Sequence, residues 1–129
     1  HIYETNWSYL RSGYRCPKCW VEDITVHDEE SLHNIQLYRI VVTRHTNKNY
    51  AIYYHLINPD ELIRSQDAYH IDHIYTVIDG FNERILPRII ANPTNLQMLS
   101  ASDNLSKNSN SHITKKELFK RYKNFIKEK

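Results

Sequence analysis

With 129 residues, 17 Lys or Arg against 15 Asp or Glu, and a formal charge of +2, the chain has room for one domain with a modest core. Its total charge does not mark it as a nucleic-acid binder. No apolar run approaches the roughly 18 residues that a membrane span requires and no secretory leader is legible, so no membrane partner is expected.

The distribution of charge says more than the sum. Glu22, Asp23, Asp28, Glu29 and Glu30 crowd one stretch, whereas the last sixteen residues hold seven Lys or Arg against two Glu. A basic end suits phosphate; the acidic stretch either repels DNA or meets a partner protein. Ten tyrosines against two glycines are unusual. Being scattered, they suit a core rim with wet hydroxyls better than a base-stacking platform.

In chain order, residues 1–68 read as an N-terminal arm. It opens on His1, not Met, which leaves room for a processed or tag-derived start and a preceding segment. Residues 1–15, with Trp7, Tyr9, Leu10 and Tyr14, suit irregular or short-strand structure. Cys16-Pro17-Lys18-Cys19 reads as a zinc knuckle in a reducing, cytoplasmic setting, not as a disulfide framework. Structural zinc takes four ligands. His27 and His33 could complete the set, though C-x2-C-x7-H-x5-H is a nonstandard spacing; two buried thiols are the alternative. From Ser31 to His55, Leu32, Ile35, Tyr38 and Val42 fit a helix, although Ile40-Val41-Val42-Thr43 would suit a strand. The helical reading is preferred, with a break at Asn47-Lys48-Asn49. Asn58-Pro59 marks a boundary, because the residue before proline avoids the helical region.

Tyr69 to Val77 reads as a strand, Asp79-Gly80 as a turn and Leu96 to Leu99 as the returning strand. Ser100 or Ser102 can cap a helix over Asp103 to about Asn108. Thr114 and Glu117 form a capping box for a last helix with Leu118, Tyr122, Phe125 and Ile126 in one stripe. Lys115, Lys116, Lys120, Arg121, Lys123 and Lys127 cover much of its remainder, either as a solvated face or in contact with DNA. The expected fold class is α+β: two antiparallel strands on a helix over residues 69–112, with residues 113–129 as a basic helix packed on that core.

The residues that carry chemistry fall between His70 and Lys107. Asp and Asn oxygens suit a hard divalent cation, and a histidine beside it can take a proton from water near neutral pH. Tyr69-His70-Ile71-Asp72-His73-Ile74, Asp79-Gly80-Phe81, Pro87-Arg88-Ile89-Ile90-Ala91, Asn95-Leu96-Gln97 and Asn104-Leu105-Ser106-Lys107 stand in the order of an HNH endonuclease. The chain resembles that family, and within it the phage-encoded homing type. The likeness is strong over 69–107 and weaker over 46–68, where Thr46, Tyr50 and Ile57-Asn58-Pro59 also fit. Many relatives carry His where this chain has Asn104, which makes it an H-N-N variant.

The resemblance implies a ββα-metal (His-Me finger) core and hydrolysis of phosphodiesters with one magnesium or manganese ion. It makes His73 the general base and Asp72 and Asn104 the cation ligands, Asn104 having a helix-cap role as its alternative. Adjacent strand residues point to opposite faces, so Asp72 and His73 can share a site only at a strand end or with strong twist. Asn95 is expected to orient His73 by tying the loop to the nearby backbone, or to be an ordinary turn residue. Lys107 is expected to contact a phosphate flanking the cut, and His70 to support the metal or leaving group. Relatives usually supply a second cysteine pair near the catalytic helix, where this chain has Ser100 and Asp103. The partner is double-stranded DNA; a homodimer would place two sites on one duplex. An inactive DNA- or RNA-binding relative of the same fold is the rival reading.

Overall fold

The computed structural model describes residues 28–107 and 110–128. Cys16, Cys19, His27 and the segment 1–15 lie outside the described residues, as do the expectations placed on them. Of the acidic stretch, Asp28 is buried, with its carboxylate 2.9 Å from His45 Nε2. Glu29 and Glu30 are exposed. His33, the other proposed zinc ligand, sits 3.4 Å from the Arg84 guanidinium.

Helix α1 spans Ile35–Ile52. It starts at Asn34, whose side chain accepts from the Gln36 and Leu37 amides, occupying two donors that a first turn leaves open. Tyr38, Val41, Val42 and Thr46 are its buried residues, a three-and-four spacing that keeps them on one face. The expected break at Asn47-Lys48-Asn49 does not occur. Asparagine disrupts helices by bonding its own local backbone. Here Asn49 Nδ2 donates to the Ala91 carbonyl at 2.8 Å, and Asn47 Oδ1 accepts from Arg64 at 3.3 Å. After a single helical turn, α2 (Tyr54–Ile57), the buried Asn58 side chain bonds both the amide and the carbonyl of Leu62, which closes the boundary turn.

Strand β1 (Tyr69–His73) pairs antiparallel with β2 (Leu96–Ser100), with Asp72 opposite Gln97 and His73 opposite Leu96. β1 ends at His73 instead of Val77. Thr76 Oγ1 accepts from the Asp79 amide at 3.2 Å and starts α3, Val77–Asn82. Gly80 is therefore in a helix, not a turn. A Cβ there would lie 2.6 Å from the Tyr38 hydroxyl and 2.7 Å from Ile90, so close approach, not turn geometry, requires glycine. A short α4, Pro87–Ile90, follows.

Helix α5 spans Ala101–Lys107, with Ser100 Oγ accepting from the Asp103 amide at 3.1 Å. α6 spans Lys115–Lys127 behind Thr114, whose Oγ1 accepts from the Glu117 amide. Glu117 turns its carboxylate to Arg121 Nε, 2.9 Å away, so only half of the expected capping box forms.

One core joins these elements. Tyr38 and Val42 of α1, Tyr75, Ile85, Ile89, Ile90 and Ala91 of the central segment, and Leu118 of α6 form a single buried cluster. Residues assigned to the arm, the middle and the terminal helix thus share one interior. Burying this apolar surface is the main force holding the three segments together. The described tyrosines lie in the core (Tyr38, Tyr75) or half-buried around it, as the rim reading expects. Of the α6 stripe, Leu118 is fully buried whereas Ile126 is 48% exposed. The architecture is mixed α+β, and no helix among the described residues is long and apolar enough to cross a membrane.

Candidate functional site

β1 sorts its polar residues by alternation. His70 and Asp72 turn toward α5, whose Asn104 and Lys107, three residues apart, share one side of that helix. Asn104 Nδ2 lies 3.0 Å from His70 Nδ1. Lys107 Nζ lies 2.8 and 3.0 Å from the two Asp72 oxygens and donates to the His73 carbonyl at 2.6 Å. Across the sheet, Gln97 Nε2 donates to Asp72 Oδ2 at 2.9 Å, as expected of residues paired on one face. Asp72 and Lys107 are both 6% exposed. Such a pair must be well partnered, because each charge alone would cost several kcal/mol to bury, on the order of 3–5.

His73 turns the other way, toward α1, where its Nε2 lies 2.9 Å from Thr46 Oγ1. Nδ1 has no hydrogen-bond partner among the described residues. Burial pushes the imidazole down to about 4; the Asp72 carboxylate pulls it back up and the Lys107 ammonium lowers it further. At neutral pH the ring is uncharged and one nitrogen keeps a lone pair. If Nε2–H donates to Thr46, that lone pair is on Nδ1, as base chemistry requires.

The adjacent residues nevertheless meet. Asp72, His73, Asn104 and Lys107 all line one polar cavity of about 350 Å³, closed by Arg39 of α1 and by Thr76, Val77 and Ile78. His73 is the last residue of β1, and at a strand end the ring can border a space that the preceding side chain also reaches.

The donor set can be tested against a divalent cation. Asp72 supplies a carboxylate. The His70 bond fixes the Asn104 amide: Nδ2 is the atom toward the imidazole, whose Nε2–H goes on to the Gln66 carbonyl at 2.8 Å. That leaves Asn104 Oδ1 without a partner among the described residues. One carboxylate and one amide oxygen, with remaining positions for water and phosphate, fit magnesium or manganese. The ammonium of Lys107 stands against the same carboxylate, so a cation entering there must share it or displace the ammonium. Among the described residues no three His, Cys, Asp or Glu side chains cluster as a cage.

Several expectations are revised. Lys107 is not an open phosphate contact; it is the buried partner of Asp72. Asn95, by contrast, ties the loop to the backbone beside His73 as expected; it is fully buried and does not touch the imidazole itself. It accepts from the Tyr75 amide at 2.7 Å and donates to the Tyr75 and Ile90 carbonyls at 3.1 and 2.7 Å, so it fixes the segment that leaves β1 and acts on His73 only through backbone. His70 bonds Asn104, which is consistent with support of a metal ligand. On α6, Arg121 is engaged by Glu117 and by the Thr94 carbonyl, and Lys115 faces Glu83 at 3.7 Å. Lys116 and Lys120 are exposed, and no α6 residue lines the cavity.

Two residues were not anticipated in these roles. Arg39 is the cation that borders the cavity without a bond or ion pair among the described residues. Thr46 is the direct partner of the His73 ring. A signal for Thr46 exists: it continues the Tyr38, Val42 spacing and so places a hydroxyl on a buried helical face. Compared with protein-family models, with curated proteins and with solved structures, the chain matches none.

Proposed function

We propose that this chain is an HNH-type DNA endonuclease that hydrolyses phosphodiesters to 5′-phosphate and 3′-hydroxyl ends. The observation that carries the reading is the convergence of Asp72, His73, Asn104 and Arg39 on one polar cavity, with the imidazole uncharged at neutral pH. The antiparallel pair β1–β2 followed directly by α5 is the ββα order that the motif resemblance implies.

His73 Nδ1 takes a proton from a water molecule as its oxygen attacks phosphorus. The P–O3′ bond breaks, and the leaving oxygen takes a proton from solvent. Thr46 holds Nε2 and so keeps the lone pair on Nδ1. Arg39 pairs with a nonbridging phosphate oxygen, a match for its planar fork. Asp72 and Asn104 would hold a magnesium or manganese ion, which when bound supplies positive charge for the nonbridging and leaving oxygens. Asn95 and His70 position this machinery from outside the reacting atoms.

A second reading has its own observation. The Asp72 carboxylate already has an ammonium on both oxygens, as a DNA- or RNA-binding protein that keeps the fold without the chemistry would have. Supercoiled plasmid incubated with Mg²⁺, with Mn²⁺ and with EDTA separates the two. Conversion to nicked or linear DNA only with metal supports the nuclease; binding without cleavage under every condition supports the rival.

A further inference from the structure

On the other side of His73 lies a second cavity of about 610 Å³, lined by Thr43, Thr46 and Asn47 of α1, by Arg64, Ser65 and Gln66, and by Tyr69, His70, Ile71 and His73 of β1. Ile71 and His73 belong to both cavities, so the two adjoin along β1. The lining holds hydroxyls, amides, imidazoles and one guanidinium, and no carboxylate. Arg64 is exposed but held: its Cζ lies 5.1 Å above the Tyr50 ring, and Nη2 donates to Asn47 Oδ1 at 3.3 Å. No acid pairs with it among the described residues. A cation restrained by a ring and an amide, with donors free and hydroxyls around it, suits an anion.

We infer that this second cavity binds the phosphate next to the scissile one on the same DNA strand, with Arg64 as its cationic contact. The inference rests on the nuclease reading, because only a strand cut at His73 would run from one cavity into the next. Arg39 borders the first cavity, and Thr43, Thr46 and Asn47 border the second. These α1 residues recur at three- and four-residue spacing on one helical side. At about 1.5 Å per residue, Arg39 and Asn47 lie about 12 Å apart along the helix, long enough for this face to reach from the scissile phosphate to its neighbour. The α1 face thus provides a track for consecutive phosphates.

The test compares the parent chain with Arg64→Gln and Thr43→Glu in binding a short fluorescein-labelled DNA duplex, read by anisotropy in EDTA over a range of salt. Thr43 is exposed, and glutamate there adds an anion to the cavity while leaving the Arg64–Tyr50 contact in place. The expected result is about tenfold weaker binding for each variant. For Arg64→Gln the salt slope should also fall by about 0.9, the release accompanying one phosphate contact. In cleavage with Mg²⁺, KM rises in both variants while kcat stays within about twofold of the parent. If parent and variants share one affinity and one slope, or if kcat falls with KM unchanged, the inference is overturned while the nuclease reading stands. If the parent binds no duplex even at low salt, both fall.

Discussion

The two faces of β1 treat their polar groups in opposite ways. Toward α5, His70 pairs with Asn104, and Asp72 is bonded by Lys107 and Gln97. Toward α1, His73 keeps one ring nitrogen unpartnered among the described residues, and the guanidinium of Arg39 borders the cavity without an ion pair. The first face is a nearly complete network, which low dielectric makes stiff, with Asn104 Oδ1 alone left over; the second has a ring nitrogen and a guanidinium to spare for a ligand. A site assembled this way has a rigid wall that holds charge in place and a more open wall that, on the proposed reading, meets the substrate.

The largest effect should come from breaking the closed face. Asp72→Ala strands the Lys107 ammonium in the interior, and urea denaturation should show a loss of about 3–5 kcal/mol. Asp72→Leu combined with Lys107→Met should recover much of it, since neither charge then remains. If the double variant is as unstable as the single one, the pair is not what holds α5 to β1. Asn95→Ala comes next. It orphans the Tyr75 amide and the Tyr75 and Ile90 carbonyls in the core, at a cost of about 2–3 kcal/mol, measurable in the same titration.

The open face should show itself through pH. The folded His73 is depressed to about 4 from its ordinary 6.5, so between those values the unfolded chain binds the proton and the folded chain does not. Stability therefore rises with pH across that window and is lost as pH falls from 6.5 toward 4. In EDTA the loss attributable to His73 should be about 2.5 kcal/mol, and His73→Gln should remove that share of the slope. An unchanged slope would mean that the ring titrates as if in water. The smallest effect belongs to Thr46→Val, at about 1 kcal/mol of stability. It should nevertheless lower cleavage about tenfold and move the acidic limb of the pH–rate profile, which a purely structural role would leave alone.

These contrasts also show what was legible in the sequence. Caps and paired strands were, because their signals are local: Ser100 as one of two candidate caps before α5, Thr114 before α6, and Leu96 to Leu99 as the returning strand. The run through Asn47-Lys48-Asn49 reads as a break only locally, because those asparagines bond Arg64 and Ala91, partners that no local window contains. Gly80 looked like a turn for the same reason, its true constraint being Tyr38 and Ile90. In the site, Asp72, His73, Asn104 and Lys107 come together as the motif order led one to expect. Their division of labour does not follow from that order. Whether Lys107 meets a phosphate or a carboxylate depends on which way α5 turns, and the partner of His73 lies 27 residues upstream on a helix whose docking only the core decides.

The measurement closest to the central claim is plasmid cleavage by the parent and by His73→Ala, matched for folding by circular dichroism and for DNA binding by gel shift, with Mg²⁺ or Mn²⁺ present. The account predicts metal-dependent cleavage by the parent and a loss of about 10²–10⁴-fold in the variant, with DNA binding retained. Equal cleavage by both proteins, or none by the parent with either metal, would contradict it.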